Sequence, residues 1–344
     1  MKNLKISIRT LASNSKGLGN LNRCLIISEK LRKQKFEINF IIDDDPMIIS
    51  IIKKRKFHYN VIKNKLTIKN EINEIKKIIT IENSDALIID MREFGEKISK
   101  HLKNYTKTIL FDDAWGKKCY ADIIFNGTMI KDYTKYVKIF PKSKIFTGTK
   151  YFIADENFYK NRRKKFEKKK KRKYKVILSI GGSDPRNLTF MIMKSISKLP
   201  NISLVVILGP FMKKTTMIHN YIKNQKNIKL IESPKDIWKW FNIADVVISN
   251  AGNTLFELAI QRIPSLCIPV IEHQIPYSNY FHRKGSTVNL GKWDSITEKK
   301  IQFNIIKLLN DQNRLQKMGI SGGKIIDGKG SERVVDIINK FLRK

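Results

Sequence analysis

Acids and cysteines are what this chain has least of. Its 344 residues hold 31 Asp and Glu against 68 Lys and Arg, and only 3 Cys. Cys24, Cys119 and Cys267 are odd in number, far apart and in no CxxC pair, which excludes a disulfide framework and a thiolate zinc site. Long apolar runs are missing too. Nothing approaches the roughly 18 residues of a membrane span, and the opening MKNLKISIRT lacks the long apolar centre of a signal peptide. A soluble cytoplasmic protein is expected. The five histidines, His58, His101, His219, His273 and His282, have no mutual spacing that suggests a metal.

The shortage of acids leaves a formal charge of +37, which ordinarily raises nucleic acid as a partner. Here lysine is spread through a sequence also rich in Ile and Asn, without an RNA-module aromatic signature, zinc-finger spacing or basic heptads. No specific nucleic-acid partner is expected. An anionic membrane surface fits better, because clustered Lys and Arg each contribute about 1 kcal/mol near acidic lipid. The cluster is KNRRKKFEKKKKRKYK, residues 160–175. It reads either as a solvated basic linker between domains or as a patch holding the protein peripherally on the inner membrane face.

What is there in quantity is alternation. Leu4–Arg9, Phe36–Ile42, Ala86–Asp90, Thr108–Phe111 and Asp122–Phe125 read as strands, with helical spacing over Leu21–Lys33 and Asn70–Ile79. The pattern restarts after the basic stretch, with strands over Lys175–Ile180, Ser203–Leu208, Ile228–Ile231, Val246–Ser249, Ser265–Ile268 and Thr287–Asn289, and helices over Leu188–Ser197, Lys235–Phe241 and Thr254–Gln261. Such alternation predicts α/β architecture with parallel sheets. The length suits two domains: residues 1–159, the linker 160–175, and residues 176–344, with the last helix a candidate to pack back on the first domain. Ligands of such sheets gather beyond the carboxyl ends of the strands.

Three strand-end loops carry candidate chemistry. RTLASNSKGLGNLNRC runs from Arg9 through Gly17, Gly19 and Asn20 to Arg23 and Cys24, at the start of a helix. VILSIGGSDPRNLT offers Gly181, Gly182 and Ser183 to a diphosphate, with the amides of the helix from Asn187. VVISNAGNTLFELAI places Asn250, Gly252 and Thr254 before a helix whose Glu257 lies one turn beyond Asn253, placed to hold a ribose diol; His273, Gln274 and Asn279 follow on the adjacent loop. ILFDDAW adds Asp112 and Asp113, and LIID ends on Asp90. A carboxylate there is a candidate base or a turn cap.

The segment SNAGNTLFELAIQRIPSLCIPVIEHQIPYSN resembles the nucleotide-binding region of glycosyltransferases related to the lipid II-forming N-acetylglucosaminyltransferase. RTLASNSKGLGNLNRCL, LIID, FDDAW, ILSIGGSD and IIDGKGSERV resemble the nucleotide-sugar hydrolase of pseudaminic acid biosynthesis and its spore-coat polysaccharide relatives. The resemblance implies a GT-B-like fold, two Rossmann-like doubly wound domains facing across a cleft. It implies a UDP-linked amino sugar as substrate, with Gly181, Gly182 and Ser183 near the phosphates, Gly252 and Thr254 near phosphate or sugar, Glu257 at the ribose, and Gln274 and Asn279 near the sugar. No obligatory cofactor is expected, since basic side chains can neutralise the diphosphate. The chain departs from the hydrolase pattern at two positions. Leu11 stands where that pattern has aspartate, and Asn20 where it has the histidine that acts at the anomeric bond. Asn20 orients a water or caps the helix, but an amide takes no proton at neutral pH. Three readings stay open: a hydrolase using water, a transferase using a glycan or lipid acceptor, and a binding protein that has lost its base.

Overall fold

The structure is a computed structural model that describes residues 3–11, 18–63, 66–91, 94–112, 120–128, 143–164, 173–213 and 215–344. The chain divides into two compact units, Met1–Asp155 with Lys329–Lys344, and Glu156–Gly328.

The first unit runs β1 (Lys5–Thr10), α1 (Gly19–Lys33), β2 (Glu37–Asp43), α2 (Pro46–Lys54), β3 (His58–Ile62), α3 (Ile68–Ile81), β4 (Ala86–Asp90), α4 (Gly95–Leu102), β5 (Lys107–Phe111), β6 (Ile123–Asn126) and β7 (Lys144–Thr147). The strands are parallel, in the order β3-β2-β1-β4-β5-β6-β7. Strands such as ALIID are apolar on both faces because helices cover both. Ile6, Ile8 and Phe40 share a core with Leu21 and Leu25 of α1, while Ile41, Leu87 and Ile89 pack with Ile75 of α3 and Ile98 of α4. β3 and β7, absent from the expected strands, are the outermost two. An edge strand is half solvated, so neither shows the continuous apolar run that marks the central ones.

The second unit contains α5 (Glu156–Lys160), β8 (Tyr174–Ser179), α6 (Leu188–Ser197), β9 (Ile202–Leu208), α7 (Thr216–Ile222), β10 (Ile228–Glu232), α8 (Ile237–Ile243), β11 (Val246–Asn250), α9 (Asn253–Gln261), β12 (Ser265–Ile268), α10 (Ile275–Arg283), β13 (Thr287–Asn289), α11 (Glu298–Leu309) and α12 (Gln312–Ile325). Its strand order is β10-β9-β8-β11-β12-β13. The last helix, α13 (Gly330–Leu342), belongs to the first unit, where Val334, Val335 and Ile338 join the core beside α1. The basic stretch does not begin as a solvated linker. Arg163 donates from its backbone to the Gln261 carbonyl and from Nη2 to the Asn242 and Ala244 carbonyls at 3.3 and 2.6 Å; residues 165–172 lie outside the described ones.

Both sheets reverse their winding after their first strand, between β1 and β4 and between β8 and β11, and such switch points open ligand crevices at the carboxyl ends. One device pins both pairs. Asp85, just before β4, accepts from the Lys5 amide at 2.8 Å, and Asp245, just before β11, accepts from the Lys175 amide at 2.7 Å. Strands β4 and β11 therefore start in matching places and, five residues later, end on Asp90 and Asn250.

The close approach of α13 depends on Gly330, where a Cβ would stand 2.1 Å from the Phe152 carbonyl oxygen. The clash is with backbone and cannot be relieved by a rotamer change. Gly330→Ala is expected to destabilise the first unit by about 3 kcal/mol or more, read as a lower Tm by calorimetry.

Candidate functional site

At the edge of the first sheet, three residues of the first turns of α1 close on Asp90. Asn20, Arg23 and Cys24 share a helix face by their spacing. Arg23 donates Nε and Nη2 to the two Asp90 oxygens at 2.9 and 2.5 Å, Cys24 Sγ lies 3.3 Å from Oδ2, and Asn20 Nδ2 donates to the Asp90 carbonyl at 3.2 Å. The Arg23 guanidinium also lies over the Phe111 ring. Asn20 is therefore inside the helix as its second residue, not the N-cap, which is Leu18. Its amide nitrogen is committed to β4. Asp90 is buried and both its oxygens accept from one guanidinium, so the carboxylate is occupied by a cation. Asp112 follows β5 at the same edge and is 7% exposed, its backbone amide donating to the Phe125 carbonyl. Gly19 opens α1. Gly17 and Asp113 lie outside the described residues.

Arg9, expected at the substrate, is committed inside the protein instead. It is 2% exposed, and its five N–H groups have five acceptors: Glu71 Oε1 takes Nε and one Nη2 hydrogen at 2.9 and 2.7 Å, Asp43 takes the other at 2.6 Å, and the Thr10 and Ile41 carbonyls take those of Nη1 at 3.2 and 3.3 Å. The guanidinium has no donor left. Its partner Glu71 sits on the buried face of α3 beside Ile72 and Ile75, and an acid interrupting an apolar stripe is the sequence signal for it.

In the second unit, the glycine turn after β8 differs from expectation. The amides of Leu188 and Thr189 at the start of α6 are not open to a phosphate, because buried Asp184 accepts from both at 3.0 and 2.8 Å. A carboxylate occupies the place an anion would take. Gly181, at φ +94°, allows the backbone to pass Asn250, whose Nδ2 would stand 2.5 Å from a Cβ there. Gly182 and half-buried Ser183 continue the turn.

The start of α9 has the opposite character. Its N-cap is Gly252, and among the described residues no side chain caps it. Around it stand neutral groups: Asn250 Oδ1 accepts from the Gly252 amide at 3.3 Å, and buried Gln274 lies within 3.2 Å of a Cβ placed on Gly252. Gln274 is fixed by accepting from the Val270 amide at 2.9 Å. Thr254 is half-buried in the first turn and Glu257 half-buried in the next. Asn279 is exposed and accepts from Asn289 Nδ2 at 2.9 Å. The structure thus joins Gly181, Asn250, Gly252 and Gln274 in one cluster. The sequence reading missed a brace behind it: Arg186 donates to the Val270 carbonyl and stacks on Trp293, with Cζ 4.3 Å from the ring centroid. Among the described residues there is no cluster of metal-binding side chains and no helix long and apolar enough to cross a membrane.

Two parallel doubly wound sheets of this order are the architecture of GT-B glycosyltransferases. MurG of Acinetobacter baumannii superposes with a TM-score of 0.70 over 98% of this chain and 100% of its own, at 12% identity. Residues 162–324 match the glycosyltransferase family 28 C-terminal domain. The spore coat polysaccharide biosynthesis protein SpsG of Bacillus subtilis is 25% identical over 338 residues, 96% of each chain. The UDP-2,4-diacetamido-2,4,6-trideoxy-beta-L-altropyranose hydrolase of Campylobacter jejuni is 25% identical over 290 residues, 83% of this chain and 98% of its own. The chain resembles these proteins across both units, as its motifs imply.

Removing Arg9 leaves Glu71 and Asp43 without their cation. Arg9→Gln is expected to lower unfolding free energy by about 3–5 kcal/mol, measured by denaturant titration. A stable variant with a much weaker substrate affinity would instead make Arg9 a ligand group.

The cysteines give a second expectation. Burial pushes the Cys24 thiol well above its ordinary range, reinforced by Asp90, and pushes Cys267 up to about 12, against a hydrogen bond to Thr287. An unfolded thiol ionises near pH 8.5, so the stability held by neutral Cys267 is complete below that pH and lost as pH rises toward 12. Cys267→Ala is expected to flatten the alkaline limb of Tm against pH, and iodoacetamide to label Cys24 and Cys267 only in denaturant, as read by mass spectrometry.

Proposed function

We propose that this chain binds a UDP-linked amino sugar and cleaves the bond between sugar and diphosphate, with water as acceptor, in nonulosonic acid or surface-polysaccharide biosynthesis. The observation that carries the nucleotide half of the reading is the contrast between the two helix starts of the second unit. Asp184 fills that of α6, whereas Gly252 leaves that of α9 without a side-chain cap, among the neutral groups Asn250 and Gln274. Backbone amides at a helix N-terminus favour an anion, so the diphosphate is assigned to Gly252 and Thr254, with the glycines at 181 and 182 giving room beside it. Glu257, one turn further on, is assigned to the ribose hydroxyls.

Asn20 has no basic lone pair. The base is assigned to Asp112, at the carboxyl end of β5 on the same edge, with Asp113 beside it in sequence; it accepts a proton from water as the anomeric bond breaks. The diphosphate leaves with the bonding electrons, its charge met by the backbone amides at the start of α9. Transfer to a glycan or lipid hydroxyl needs the same base and differs only in the acceptor; the absence of the hydrolase's histidine at position 20 favours this second reading.

Purified protein incubated with UDP- and CMP-linked amino sugars is expected to release UDP without an added acceptor. Release that requires an acceptor would establish the transferase, and tight binding without release the inactive homologue. Asp112→Asn is expected to lower kcat by about 10²- to 10⁴-fold with little change in KM, Glu257→Gln to raise KM with kcat nearly kept, and Asn20→Ala to cost less than either.

A further inference from the structure

Strands β5 and β6 end side by side on two polar residues, Asp112 and Asn126. The register Leu110↔Ile124 and Phe111↔Phe125 continues to them, with the Asp112 amide donating to the Phe125 carbonyl. Strand alternation puts both on the face of Leu110 and Ile124, which pack with Ile98 of α4, whereas Phe111 and the guanidinium of Arg23 over it lie on the other face. Asn126 is fully buried, and only half of its amide has a structural task. Oδ1 accepts from the Thr128 backbone amide at 3.2 Å and from the Thr128 hydroxyl at 3.1 Å. Gly127 permits that turn, since a Cβ there would stand 2.6 Å from the Tyr151 carbonyl oxygen. A backbone N–H can only donate, which identifies the bonded atom as the oxygen and the other as the nitrogen. Among the described residues Nδ2 has no hydrogen-bond partner. The turn does not account for it, because a serine supplies a turn oxygen without an amino group, and a buried donor left unanswered is costly to a fold.

We infer that Asn126 is a specificity-determining residue, donating from Nδ2 to the acyl carbonyl oxygen of an N-acylated amino sugar. The inference rests on the reading that a UDP-linked amino sugar is the substrate and that Asp112 acts on it. The acyl arm enters between Asp112 and Thr128, which border Asn126 and are 7% and 5% exposed. An unanswered donor calls for an acceptor, and the groups of an amino sugar differ in this respect. A free ammonium group only donates, whereas an amide carbonyl only accepts, and the methyl group beside it suits the apolar face that Leu110 and Ile124 share. A phosphate is disfavoured here, because it would stand beside the Asp112 carboxylate. A substrate that brings the oxygen makes the bond the fold leaves unmade, and one without it leaves the donor unpaired. Such a site discriminates more strongly than one that merely adds apolar contact.

The test is titration calorimetry of the full chain with three ligands: UDP, a UDP-linked 2,4-diacetamido sugar, and the same nucleotide sugar with both acetyl groups removed. The wild-type chain is expected to prefer the acylated sugar. Asn126→Ser keeps an oxygen for Thr128 and is expected to lose about 10- to 100-fold in affinity for the acylated sugar, with less than about twofold change for UDP and the deacylated sugar. Its Tm is expected to be kept, because the amino group removed bonds to nothing; Asn126→Ala gives the same comparison if the serine variant unfolds. A residue with only a structural role would lower Tm and weaken all three ligands alike, and that result would overturn the inference. So would a wild-type chain that binds both sugars equally, which leaves the nucleotide-sugar reading standing. Failure to bind UDP or either sugar would overturn that reading and this inference with it.

Discussion

In a chain with 31 acids for 68 bases, a cation buried in the protein must be given one of few available carboxylates, and that constraint arranges the first unit. An uncompensated buried charge is among the more destabilising things a fold can contain. Arg9 enters the face of the sheet covered by α3, and Asp43 and Glu71 are drawn to it from β2 and α3. Arg23 enters the edge of the same sheet, and Asp90 meets it from β4. Each pair joins elements distant in sequence and fixes where strand ends lie. The pairs also consume acids. Asp85, Asp122 and Asp245 hold strand starts, and Asp45, Asp184 and Asp311 cap helices. Because acids are scarce, finding each one's structural task narrows what is left for chemistry.

The two switch points show how the same topology is given different electrostatics. Strands β4 and β11 start from equivalent aspartates and run the same five residues, yet one ends on Asp90 and the other on Asn250. An aspartate at that place needs a cation, and Arg23 supplies it. An asparagine needs none, and glycines close in on it instead: Gly181 because its side chain would strike the amide, Gly252 because its amide bonds to it. The first edge is a compensated ion pair, whereas the second is neutral and lined with backbone amides. Only the second is suited to a doubly charged phosphate chain without displacing a carboxylate already present.

Much of this was legible in the sequence. The central strands and the division into two alternating halves follow from apolar runs, since a strand covered on both faces is mostly apolar. The edge strands were not legible, because His58–Ile62 and Lys144–Thr147 are half solvated and look like loops. At the candidate site, residue type pointed to strand-end loops but not to the partners its side chains find there. Arg9 stood at a strand end before a glycine loop, yet whether a guanidinium faces a ligand or a buried glutamate depends on a helix 62 residues away. The helix amides after Asn187 were read as open to a diphosphate, but Asp184, four and five residues before Leu188 and Thr189, accepts from both of them. Partners that are distant in the chain leave no local spacing to read.

Position 20 gains a physical explanation from its surroundings. A side chain there must satisfy the Asp90 carbonyl from the second position of a helix, with a guanidinium one turn away. An imidazole and an amide both donate an N–H, so either can make the structural bond, and the fold tolerates the exchange. They differ in what remains. After donating one hydrogen, a neutral imidazole keeps a basic nitrogen near pH 7, whereas the amide keeps only a carbonyl oxygen that accepts hydrogen bonds without taking a proton. The exchange to Asn20 therefore removes proton acceptance at this position while keeping the tie between α1 and β4.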